Sequence, residues 1–152
     1  MDVIVWLREM FRRELDLRPP SLAKFNEKSI LIYDDEKKPI AHVTKTSRWR
    51  GFEINSLVVD PSHRGKGLSH KLLEKCGNGL LFAYTRDPRL QSALEKSGFV
   101  RSGSFGFLSI RNVLISRLAL ASWMVLSLEI KRFIHQLKHI RDYKLYIREE
   151  IE

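Results

Sequence analysis

Cys76 is the chain's single cysteine. One thiol excludes an internal disulfide framework and, within one chain, a thiolate metal cluster, and it suits a reducing compartment. Membrane-length apolar runs are missing too. Leu118 to Leu128, bounded by Arg117 and Glu129, has eleven uncharged residues, whereas a span needs about 20. That run is expected to form a buried helix packed on a sheet. No secretory leader is read at the start, because Met1 is followed by an acid and Arg8, Glu9, Arg12 and Arg13 break the early apolar positions; a cytoplasmic location is the expectation. Acidic charge is the minority, with 18 Asp and Glu against 27 Lys and Arg, net +9. His135 and His139 stand four apart on a helical stretch, a spacing that can hold a metal, but no third ligand accompanies them and no metal site is assigned.

What is present suits one globular domain over residues 1–152. The length allows a single sizeable core, and 30% charged with 43% apolar residues is an ordinary folded balance. Val3 to Leu17 reads as an amphipathic helix stopped by Arg18-Pro19-Pro20, with Val3, Trp6, Leu7, Met10, Phe11 and Leu15 on one side. Ser29 to Tyr33 and Pro39 to Thr46 read as a hairpin, and Phe52 to Asp60 as a third strand.

The third strand feeds the most informative stretch, Ile54 to Leu73. It runs from an apolar strand through Asp60-Pro61 and a basic loop carrying Gly65 and Gly67 into a helical pattern at Leu68, Leu72 and Leu73. The first amides of a helix have no internal acceptor and the helix dipole favours negative charge there, so this turn is an anion site suited to a diphosphate. Arg64 and Lys66 add positive charge. A second strand-and-helix block follows: Leu80 to Thr85, then Asp87-Pro88 opening a helix with Leu90, Ala93 and Leu94 on its apolar face, ended by Gly98 before Phe99.

Arg64-Gly65-Lys66-Gly67-Leu68-Ser69 after Val58-Val59-Asp60-Pro61 resembles the acetyl-coenzyme A loop of the GNAT superfamily of N-acetyltransferases, and Lys96-Ser97-Gly98-Phe99 resembles the close of that family's next block. Ser69 stands where the family has Gly or Ala. The resemblance implies an α+β fold: a mixed, mostly antiparallel central sheet flanked by helices. Two departures are visible. The chain starts almost at its first helix, without the family's leading strand. After a core of about residues 1–110, residues 111–152 read as an atypical helical extension, where the family places two strands; Phe105 to Leu108 offers one short strand, and Val113 to Leu145 reads mostly as helix.

The implied chemistry is acetyl transfer from acetyl-CoA to a primary amine by direct attack in a ternary complex, with no metal. In that reading the backbone of Leu57, Val58 and Val59 holds the pantetheine arm and polarises the thioester, and Arg64, Gly65, Lys66, Gly67, Leu68 and Ser69 bind the diphosphate. Glu53 is the first candidate for the base, and strand alternation sets it on one face with Asn55, Leu57 and Val59. The family's acidic tyrosine falls at Leu94, leaving Tyr84 as the substitute. The acceptor stays open between a protein or small amine and an amine carried on nucleic acid, such as an aminated base of a viral genome, in which case the location is the host cytoplasm. Net charge +9 is compatible with a nucleic-acid partner. The alternative is a non-catalytic binding module of the same fold that grips nucleic acid or an acidic protein through its basic surface. An exposed strand edge would also allow a homodimer.

Overall fold

The structure, a computed structural model, describes residues 2–103 and 110–149. Its first described element is α1 (Val3–Arg13), started by the Asp2 carboxylate, which accepts the Ile4 amide at 2.9 Å and so satisfies a donor with no helical partner. Trp6, Leu7, Met10 and Phe11 form its buried stripe.

Six strands make one sheet: β1 (Ser29–Tyr33), β2 (Pro39–Ser47), β3 (Phe52–Val59), β4 (Leu81–Thr85), β5 (Val100–Ser102) and β6 (Lys144–Arg148), in the order β1-β2-β3-β4-β6-β5. All neighbours run antiparallel except β3 and β4. Two more helices, α2 (Leu68–Lys75) and α3 (Pro88–Lys96), bury Leu68, Leu72, Leu73 and Leu94 on one face of the sheet, against Ala41, Val43, Ile54, Leu81, Ala83 and Tyr146. The helix α1 covers the other face, with Val58 and Leu31 in its cluster. Each such fully buried leucine contributes on the order of 2 kcal/mol through apolar surface removed from water.

The expected helical extension is present as α4 (Ile110–Leu126) and α5 (Ile130–Lys138), but the helix predicted to reach Leu145 stops earlier. Residues 144–148 are instead β6, inserted between β4 and β5 and paired along the whole of β4. The physical reason is alternation: Tyr146 joins the cluster under α2 and α3, while Leu145 and Ile147 pack on the opposite face with Phe82. The strand suggested at Phe105 to Leu108 lies outside the described residues.

The burial expected of the run Leu118 to Leu128 is also corrected. Of residues 115–128 Met124 alone is buried, and Leu126 and Leu128 are 78% and 83% exposed. In α5 the usual arrangement is inverted. Its polar side faces inward, where buried Arg132 donates to the carbonyls of Glu14 (2.7 Å), Leu17 (2.9 Å) and Phe11 (2.8 Å), and Gln136 donates to those of Leu15 and Leu17. Its apolar residues Ile130, Ile134 and Leu137 face outward. The carbonyls at the end of α1 lie beyond the i to i−4 ladder, with the Glu14 amide on Phe11 at 3.4 Å and the Leu17 amide on Glu14 at 3.1 Å, and a guanidinium is a fitting further cap for them in both hydrogen bonding and charge. This also explains why α1 ends at Arg13 rather than Leu17: the chain beyond it turns so that the carbonyls of Glu14, Leu15 and Leu17 meet Arg132 and Gln136.

Candidate functional site

The turn after β3 has the geometry of an anion cradle. A short 3-10 turn (Pro61–His63) is capped by Asp60, whose carboxylate accepts the Ser62 amide at 2.9 Å and the Trp6 indole N–H at 3.4 Å. Gly67 then opens α2 in the left-handed region, φ +72°. The first helical bond runs from the Lys71 amide to the Gly67 carbonyl, so the amides of Leu68, Ser69 and His70 come before the helical ladder. No described side chain caps them. A Cβ built on Gly65 or on Gly67 would meet nothing within 4 Å, which leaves the loop mouth open to a ligand. Lys66 is exposed there. Arg64 points elsewhere: its guanidinium pairs with Glu14 at 3.0 Å and reaches the Val59 carbonyl at 3.4 Å, tying the loop to the end of α1.

The parallel strands β3 and β4 pair only at their starts, Phe52 with Leu81 and Glu53 with Phe82. The closed end is held by the Phe52 amide on the Leu80 carbonyl at 2.8 Å. Gly51 sits against that same carbonyl at φ +77°, where a Cβ would collide with it. From Ile54 and Ala83 onward no ladder pair joins the two strands among the described residues. Between them the sheet is therefore split toward the anion cradle, and the facing edges there share no strand-to-strand ladder among the described residues.

A bulge shapes the split. Ser56 and Leu57 together oppose Val43, and Ser56 has φ +52°, a costly value for a residue with a side chain. The extra residue changes which side chains share a face. Glu53 and Asn55 stay on the α1 side, but Leu57 and Val59 cross to the side of α2 and α3 and pack with Ile54. Simple alternation therefore failed at Ser56.

Glu53 is buried, and both of its oxygens are held. Arg48 binds one through Nε at 2.7 Å and through Nη2, and Arg117 of α4 binds the other at 2.8 Å. Nearby, Arg18 donates to the Asn55 side-chain oxygen at 3.2 Å, and Asn55 donates to Thr46. Burial first, and then the neighbouring Arg117 and Arg48 charges, lower the pKa of Arg18.

His42 lies beside the bulge, 1% exposed, with Nδ1 at 3.0 Å from the Ser56 carbonyl and no partner for Nε2 among the described residues. Nδ1 therefore carries the proton and donates. Burial pushes the pKa of this imidazole down to about 4. Tyr84 is half-buried on β4, opposite Leu145, with its ring edge-on to Phe82 at 6.2 Å. Cys76 is buried behind α2, and burial raises its thiol to about 11, consistent with a packing role. The pair His135 and His139 is spoken for: His135 meets Asp16 at 3.1 Å and His139 meets Asp142 at 2.8 Å. No group of three or more metal-binding side chains converges among the described residues, and no described helix is long and apolar enough to cross a membrane.

Strand Phe52–Val59, the loop 64–69 and Tyr84 thus border one split. Arg18, Arg48, Arg117 and His42 were not singled out in the sequence. Each comes from a different segment, and nothing in local spacing marks them as neighbours.

Residues 2–77, half of the chain, match the family described as Acetyltransferase (GNAT) family. No curated protein matches significantly. Among solved structures, a candidate acetyltransferase from Agrobacterium tumefaciens is 26% identical, covering 53% of this chain and 64% of that one, TM-score 0.43. This chain thus spans less than two thirds of that protein's length. Tetrahymena GCN5 is 17% identical over 72% of this chain and 76% of that one, TM-score 0.51. Rv2747 from Mycobacterium tuberculosis, solved in complex with CoA and NLQ, is 12% identical and covers 97% of this chain and 94% of that one, TM-score 0.61.

Proposed function

This chain belongs to the GNAT acetyltransferase family, and from that premise we propose that it transfers an acetyl group from acetyl-CoA to a primary amine by direct attack in a ternary complex. The observation that carries the reading is the split between β3 and β4, opening toward an uncapped helix start whose Gly65 and Gly67 leave room for a diphosphate. The residues present fit the donor. Amides from Gly65 to Ser69 with Lys66 would bind its diphosphate, and the free edge of Leu57, Val58 and Val59 would hold its pantetheine arm and polarise the thioester carbonyl. Arg64 serves by fixing the loop through Glu14.

In the transfer, the amine nitrogen bonds to the thioester carbon, the carbon–sulfur bond breaks, and the amine proton and the thiolate's new proton must both be handled. We assign Glu53 the role of anchor for Arg48 and Arg117, because guanidiniums occupy both its oxygens; the amine then loses its proton to water. Tyr84, on β4 beyond the last ladder pair, is the proposed donor to the thiolate, which needs little help near neutral pH because thiols titrate near 8.5.

A second reading, a binding module of the same fold, draws on the exposed stripe Ile130, Ile134 and Leu137 between exposed Lys131 and Lys138. Transfer separates the two. With acetyl-CoA and a panel of primary amines, mass spectrometry is expected to show one amine class gaining one acetyl group while free coenzyme A thiol accumulates in equal amount. CoA bound with no amine acetylated across the panel would overturn the enzyme and favour the module.

A further inference from the structure

The α1 side of the split carries more positive charge than its partners neutralise. Three guanidiniums converge there from three segments: Arg18 after α1, Arg48 from the β2–β3 turn and Arg117 from α4. They face one carboxylate, Glu53, and one neutral amide, Asn55. On β2, Lys45 stands opposite Ile54 but points to the other face, its Nζ on the Cys76 carbonyl, and His42 is buried and carries no charge near neutral pH. Asp16 is engaged elsewhere, by Arg86 at 2.8 Å, by His135 at 3.1 Å and by the Tyr143 hydroxyl at 3.0 Å. Among the described residues, then, three guanidiniums meet one carboxylate, and two positive charges are left over in a part-buried cluster. Such an excess is costly unless an anion completes it.

The cluster is also well placed. Glu53 stands at the closed end of the split, and Asn55, which holds Arg18, lies two residues before Leu57, or ~7 Å along an extended strand. The side chains of Glu53 and Asn55 point away from α2, while the anion cradle opens at the start of α2 beyond the far end of β3. Donor and cluster would therefore approach the split from different sides. We propose that Arg18, with Arg48 and Arg117, binds an anionic group of the acceptor, so that the acceptor is an amine carrying a carboxylate or phosphate a few ångströms from its nitrogen, of which an amino acid is the simplest. This rests on the acetyl-transfer reading for the reaction, but not for the binding.

The planar fork of a guanidinium matches a carboxylate with two parallel N–H donors, which gives orientation as well as charge. Among the described residues Asn55 takes one donor of Arg18 and leaves others for this, whereas Arg48 is committed to Glu53 at two nitrogens. Polyamines, which carry only positive charge, would be repelled by the same cluster.

The test separates binding from chemistry. Calorimetric titration of the CoA-loaded protein would compare amino acids, their carboxamides, phosphoethanolamine and spermidine, each with wild type, Arg18→Gln and, as a control on the exposed side of α1, Arg12→Gln. An acid or phosphate is expected to bind at least about 30-fold more tightly than its neutral analogue. Arg18→Gln should erase that difference with CoA affinity unchanged, and Arg12→Gln should leave both intact. Preference for phosphoethanolamine over the amino acids would name phosphate as the anion. Equal binding of acid and amide, tighter binding of spermidine, or an unchanged preference in Arg18→Gln would overturn the proposal. If anionic amines bind as expected and none is acetylated, the anion site stands and the transfer reading fails; if spermidine or amides are acetylated instead, the reverse holds.

Discussion

Gly67→Asp is expected to weaken coenzyme A binding by about 100-fold, equivalent to about 2.7 kcal/mol, while leaving the protein folded. The backbone there is left-handed at φ +72° and a Cβ would meet nothing within 4 Å, so an aspartate fits, since Asp and Asn tolerate this conformation better than other side-chain-bearing residues. Its carboxylate, however, would stand at the start of α2, where the free amides and the helix dipole favour an incoming anion. Gly67→Asn is the matched control, with the same shape and backbone demand but no charge, and should cost less than about tenfold. Titration calorimetry of the three proteins with CoA, alongside thermal melting to verify folding, reads the difference. Equal affinities for Asp and Asn variants would place the diphosphate somewhere other than this loop.

The second large effect is a loss of stability on mild acidification, traced to His42. In the folded protein this imidazole is buried and its pKa is lowered to about 4. Unfolded, it titrates near 6.5. Above pH 6.5 neither state binds the proton and the residue is neutral to stability. As pH falls below 6.5 the unfolded state takes up a proton that the folded state refuses, so stability drops until about pH 4, by up to about 3 kcal/mol. The structural reason is visible: a charged imidazole would have an Nε2–H with no acceptor among the described residues, and Arg18 already carries positive charge nearby. Asp16, Asp60 and Asp87 also have lowered pKa values, but their contributions are lost only below the ordinary carboxylate range, so the two windows separate. Urea unfolding at pH 7.5, 6.5, 5.5 and 4.5 is expected to show this slope in wild type and a flatter one in His42→Gln. Parallel slopes would mean that the ring finds a partner when protonated.

Much of the fold was legible because its signals are local. The hairpin of β1 and β2, the strand feeding a glycine-bearing loop, and the helix between Asp87-Pro88 and Gly98 all follow from apolar spacing and turn residues within a few positions. The carboxyl end was harder. An amphipathic helix is ordinarily read with its apolar side inward, yet α5 turns Arg132 and Gln136 in, where they add donors to the carbonyls following α1, a contact that only the tertiary arrangement brings about. The strand β6 was hidden for a similar reason: its alternation covers five residues and follows directly on a long helical pattern.

At the candidate site, the sequence singled out the loop and the strand but not the side chains around them. Alternation is a safe guide only while the ladder is regular, and the bulge at Ser56 moved Leu57 and Val59 to the other face. Glu53 was singled out, as a base, by its place on β3, while the arginines that hold it lie 5 and 64 residues away in sequence. Long-range ion pairs have no periodicity to read.

The most direct test of the central claim is to map where coenzyme A sits, by following backbone amide signals in a nitrogen–proton NMR titration of the full chain. The largest changes are expected at Gly65 to Ser69 and at Leu57 to Val59, on the two sides of the bend from β3 into α2. Saturation with coenzyme A that leaves both groups undisturbed would contradict the split as the donor site, and with it the acetyl-transfer chemistry built there.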